Sequence, residues 1–121
     1  MAVIELNKDG FDQTIKNNDI VIIDFWAPWC GPCKQFAPTY EEISNKVSGV
    51  VFTKINTEDE QELASHFQIR SIPTLMIFRE QIAIFVQPGA MSGSDLETII
   101  SKAKELDMDT VRKEISEQKA S

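Results

Sequence analysis

Nitrogen and sulfur ligands for a metal are scarce in this chain: two cysteines and a single histidine among 121 residues. A structural zinc site takes four N or S ligands, so one chain cannot close such a site from these three. A metal shared between two chains stays open. Five glycines and five prolines are too few for a disordered or fibrous chain. No apolar stretch reaches the roughly 18 residues that a membrane helix needs. The opening "MAVIELNKDG" has no basic region followed by a long apolar run, so no signal peptide is expected. Positive charge is short as well, with 12 Lys and Arg against 19 Asp and Glu, a net charge of −7. That balance argues against nucleic acid and anionic membrane as partners. The expected location is the reducing cytoplasm, where a lone Cys-x-x-Cys is catalytic or metal-binding more often than a structural staple.

What is present suits one α/β domain. The length fits a single core, and 42% apolar residues can fill it. Val3 to Leu6 reads as a short strand, and Phe11 and Ile15 share one face of a helix. "DIVIIDFW" is a β-branched run suited to a strand buried on both faces. Phe36, Tyr40, Ile43 and Val47 form a helical stripe, with Pro38 inside it predicting a kink. "VVFTKIN" is a third strand. Thr57 with Glu60, and Ser94 with Glu97, have capping-box spacing at the starts of two further helices. "TLMIF" and "IAIFV", joined by Arg79-Glu80-Gln81, predict an antiparallel hairpin. The order βαβαβαββα predicts a mixed five-stranded sheet with helices on both faces. Residues 107–121 form a charged extension, read as a solvated or loosely packed helix carrying Val111 and Ile115.

Both cysteines lie in "DFWAPWCGPCKQF", from Asp24 to Phe36. Three readings fit a lone pair: a structural clip, half of a metal site, or a redox couple. The pair falls where strand gives way to helix, the usual position of sites in open α/β sheets. Pro32 is at home in a first helical turn. The unpaired N–H groups and the dipole of that turn favour a thiolate at Cys30. Cys33, one turn on, can reach Cys30 and displace it from a mixed disulfide. His66, in a separate helix, reads as a surface or boundary residue. Asp24 is a carboxylate in an apolar strand. Desolvation would raise its pKa, making it a candidate proton acceptor for Cys33, with Lys54 as its partner. A purely structural Asp–Lys pair fits the same residues. Ile72-Pro73 favours trans on base rates alone. Trp26 reads as packing and Trp29 as substrate surface.

"DFWA" followed by "WCGPCK", then "SIPT" and "PGA", resembles the thioredoxin family over residues 1–106. The resemblance implies the thioredoxin fold and a protein-disulfide reductase. Cys30 would be the nucleophile, Cys33 the resolving cysteine, and Asp24 the buried proton-transfer group, tuned by Lys54. Pro73 would be cis, facing the disulfide, and the Ile72 backbone would pair with an extended substrate. Trp29, Gly31, Pro32, Gly89 and Ala90 would line the docking groove. Gly31-Pro32 marks the reducing branch rather than the oxidising or isomerase branches. The resemblance implies no bound cofactor and no metal. A thioredoxin reductase would supply electrons from NADPH to a monomer that serves disulfide-containing proteins. Two departures stand out: the turn lacks Asn-Gly, and Pro88 precedes Gly89, which leaves partner preference open. A binding module with incidental thiols is the competing class.

Overall fold

A computed structural model describes residues 3–120, with side chains through residue 118. Ten elements follow one another: β1 (Val3–Glu5), α1 (Lys8–Asn17), β2 (Ile20–Trp26), α2 (Gly31–Lys46), β3 (Val51–Asn56), α3 (Gln61–His66), β4 (Thr74–Arg79), β5 (Ile82–Pro88), α4 (Gly93–Glu105) and α5 (Met108–Ala120). The strands form one sheet in the order β1-β3-β2-β4-β5. β1, β3 and β2 run parallel, while β4 is antiparallel to β2 and β5. β2 is therefore central, and its residues from Ile20 to Phe25 are all buried.

Alternation along β2 divides the core between two faces. Ile20 and Ile22 meet Phe36, Tyr40 and Ile43 of α2 and Leu96 and Ile100 of α4. Val21, Ile23 and Phe25 meet Phe11 and Ile15 of α1 and Leu63 of α3. The helical stripes place these apolar faces against the sheet, and Val47 packs at the edge as the C-cap of α2. Helix α2 runs through Pro38 without ending.

Both expected capping boxes are displaced. The Thr57 hydroxyl donates to the Trp26 carbonyl at 3.1 Å, tying β3 to β2, so α3 starts later, after Glu60 and with no side-chain cap. Helix α4 is capped by Ser92, whose extended backbone lets its Oγ accept the Asp95 N–H at 3.1 Å. The helix therefore begins before Ser94.

The hairpin turn achieves its backbone without Asn or Gly. Glu80 and Gln81 both lie in the left-handed region, at φ 50° and 70°. That is the two-residue loop geometry which fits strand twist. Contacts on both sides of the turn compensate: the Glu80 N–H donates to the Asp19 carbonyl at 2.8 Å, and its carboxylate pairs with Arg112.

The C-terminal extension is docked rather than loose. Asp107 caps α5 by accepting the N–H groups of Asp109 and Thr110. Met108 is buried. Arg79 Nη1 donates to the carbonyls of Ala103, Lys104 and Leu106, at 2.8, 3.0 and 2.6 Å. These contacts satisfy the orphan acceptors at the end of α4.

Candidate active site

The end of β2 leads directly into the cysteine pair. The Cys30 N–H donates to the Ala27 carbonyl at 3.2 Å, closing a turn over Pro28 and Trp29. Cys30 is then the N-cap of α2, and its Sγ accepts the Cys33 N–H at 3.2 Å. Pro32 occupies the first turn, where its missing N–H leaves no bond unmade. Cys30 and Cys33 are joined as a disulfide with Cα atoms 5.2 Å apart. Both are buried, packed with Ala27, Trp26 and Ile72. The polar end of a 16-residue helix therefore points at Cys30 Sγ, and charge developing there on reduction meets N–H groups and the dipole.

Three further segments converge on this point. The Ile72–Pro73 bond is cis, against the bare sequence preference and as the resemblance implies. The Ile72 carbonyl oxygen stands 3.7 Å from Cys30 Sγ. The Gly89 N–H donates to the Pro73 carbonyl at 2.8 Å, from a backbone at φ 96° that suits glycine. Trp29, next to Cys30 in the chain, is 67% exposed, and its indole N–H donates to Glu58. Gly31, Pro32, Gly89 and Ala90 are exposed around the same end of the sheet, with Ile72 half-buried and Pro73 buried.

Asp24 is 3% exposed and, by alternation along β2, shares with Ile20 and Ile22 the face that α2 covers. Its Oδ1 has no hydrogen-bond partner. Burial raises its pKa from 3.8 to about 7, against the opposing pull of Lys54. Lys54 is in register with Asp24 across β2 and β3. Its ammonium is 5.0 Å from the Trp26 ring centroid and 3.7 Å from Glu5 Oε2. The Asp24–Lys54 relation is thus one of sheet register and field, while the ion pair of Lys54 is with Glu5.

Two residues of the site escaped the sequence reading. Glu58 holds the Trp29 indole, and its own N–H is fixed by Asn56 Oδ1 at 2.9 Å. Glu5 reaches Lys54 from the neighbouring strand. Each depends on pairing between distant segments, with no local motif to flag it. Among the described residues, no group of three or more His, Cys, Asp or Glu is placed to hold a metal ion. His66 stacks edge-on against Phe67, exposed on α3.

The family model described as Thioredoxin matches residues 2–102. A putative thioredoxin 2 of Streptomyces coelicolor is 54% identical over 119 residues, covering 98% of this chain and 89% of the relative. The thioredoxin of Porphyra purpurea is 41% identical over 104 residues, 84% of this chain and 97% of the relative. Among solved structures, a mutant thioredoxin from Halobacterium salinarum NRC-1 superposes with a TM-score of 0.80 at 28% identity. The match covers 87% of this chain and 93% of that one.

Proposed function

This chain belongs to the thioredoxin family and is a thiol-disulfide oxidoreductase, and from that premise we propose a role for each residue around its Cys30–Cys33 couple. The observation that carries the reading is the Cys30–Cys33 disulfide at the N-terminus of α2, beside the backbone of Ile72. Cys30 is the nucleophile. Its thiolate attacks one sulfur of a substrate disulfide, forming a Cys30–substrate bond, and the second substrate sulfur leaves as a thiolate. Cys33 then gives its proton to Asp24, directly or through a water, and attacks Cys30 Sγ. The remaining substrate sulfur leaves, and two electrons have passed to the substrate. A buried carboxylate titrating near 7 suits this proton transfer, since it can both accept and release a proton near neutral pH. Lys54 tunes Asp24 from the adjacent strand. Trp29, Gly31, Pro32, Ile72, Pro73, Gly89 and Ala90 make the docking surface, and the Ile72 backbone pairs with an extended substrate.

Residues 1–106 are the catalytic unit and 107–121 a charged helical extension to it. No prosthetic group takes part. Thioredoxin reductase, using NADPH, regenerates the dithiol of a cytoplasmic monomer whose substrates are disulfide-containing proteins.

Reduction of insulin disulfides, driven by dithiothreitol or by NADPH with thioredoxin reductase, tests the activity. Turnover no faster than the protein-free background would sink the proposal. The order of attack is tested by trapping: Cys33→Ser accumulates mixed disulfides and Cys30→Ser does not. Equal trapping by both variants reverses the assignment.

A further inference from the structure

Three charged residues lie in one row across the sheet. Glu5 of β1 is in register with Lys54 of β3, and Lys54 is in register with Asp24 of β2. In-register residues on neighbouring strands project to the same face, here the face covered by α2. The row passes from solvent to core. The Glu5 side chain is 52% exposed and that of Lys54 35%, whereas Asp24 is 3% exposed. One cation therefore stands between two carboxylates, and its ion pair is with the outer one, at 3.7 Å. The Trp26 ring, 5.0 Å from the ammonium, gives it a second contact in this position.

We propose that Glu5 is a positioning residue for the disulfide-reducing reaction: it holds the Lys54 ammonium at the outer side of the row, so that Lys54 shares rather than neutralises the charge of Asp24. This inference rests on the reading of Asp24 as the proton-transfer group. The chemistry gives the arrangement a purpose. A carboxylate tightly paired with an ammonium is a poor proton acceptor, because the pair stabilises its ionised form and lowers its basicity. An exposed carboxylate drawing the ammonium outward weakens that pairing without removing the cation. The titratable groups that feel Asp24 in the oxidised protein are Lys54 from β3 and Tyr40 from α2, with Glu5 beyond Lys54, and the two cysteines of α2 are tied up as a disulfide. On the β4 side its register partner is the apolar Leu75. Tyr40 is fixed by hydrogen bonds to the Ile22 and Thr53 carbonyls. Lys54 is the one partly exposed cation in the group, and Glu5 is its ion-pair partner.

The test follows the Asp24 carboxyl carbon by NMR through a pH titration of the oxidised full-length protein. Glu5→Gln lowers the Asp24 midpoint by about half a pH unit, the scale of one partly exposed ion pair. In a Lys54→Met background the same Glu5→Gln change leaves the midpoint where Lys54→Met alone puts it. No downward shift in the Lys54 protein, or an equal shift in both backgrounds, overturns the proposal, the second by showing that Glu5 acts directly on Asp24. The proton-transfer reading fails by a different sign: Asp24→Asn leaves the pH profile of Cys33 alkylation unchanged, whatever Glu5 does to the midpoint.

Discussion

Asp24→Asn should stabilise the protein more as pH rises, and the size of the gain follows from burial. In the native state the carboxyl titrates at about 7, against an ordinary 3.8, because desolvation outweighs the attraction of Lys54. Between these values the unfolded chain has released a proton that the native protein still holds. The unfolded state then binds fewer protons, so stability falls as pH rises. The favourable contribution is complete below 3.8 and is lost as pH climbs through about 7. Each pH unit in this window is worth about 1.4 kcal/mol, so roughly three units give about 4 kcal/mol. Asn has a similar shape and does not titrate, so its own cost is constant with pH. The assay is guanidinium unfolding of the oxidised wild type and of Asp24→Asn at several pH values from about 4 to about 9, spanning the window in which the two states differ in bound protons. Taking the difference cancels the titration of the other carboxylates. The expected curve rises in favour of the variant from about pH 4 to about 7 and then levels off. A difference that stays flat within about 0.5 kcal/mol, roughly a third of what one unit should give, would refute the assignment of a buried, uncompensated carboxylate.

Two further substitutions probe the frame around the site. Tyr40→Phe removes a buried hydroxyl that bridges the Ile22 and Thr53 carbonyls, and should cost about 1–2 kcal/mol in denaturant unfolding, with insulin reduction preserved. Arg79→Met leaves three carbonyls at the end of α4 without their donor and should cost about 1–3 kcal/mol, read from the guanidinium midpoint.

Legibility in the sequence followed the range of the interaction. β2 was readable because a β-branched run needs burial on both faces, and α2 because its apolar stripe and Pro32 are local. Asp24 announced itself as a charge among apolar neighbours. The capping boxes misled because spacing cannot show that the Thr57 hydroxyl already serves the Trp26 carbonyl, nor that Ser92, rather than Ser94, caps α4. Gly at the left-handed turn is a preference rather than a requirement, so a turn of Glu80 and Gln81 left no signal. The end of α4 depends on Arg79, and the docking of the extension on Arg112, each meeting a partner far along the chain. Glu5 was silent for the same reason: its role exists only once a three-residue strand has found its register on β3.

The sheet also separates what the two ends of the molecule do. Thr74 begins β4 directly after Pro73, opposite Phe25, while Arg79 ends it, opposite Ile20. The five steps from Thr74 to Arg79, at about 3.3 Å each, place the hairpin turn roughly 16 Å from the dithiol end. Arg79, on the carbonyls that end α4, and Arg112 of the extension, on Glu80, both lie at the turn end. The site, by contrast, is held by the N-terminus of α2, the Ile72–Pro73 loop and Gly89, at the opposite end of β4. Loosening the turn end, where α4 finishes and the extension docks, therefore acts on the folded population and not on the geometry of exchange. Arg79→Met should lose stability at unchanged insulin-reduction rate per folded molecule, whereas a change at Glu5 or Asp24 should move the pH response of the thiols.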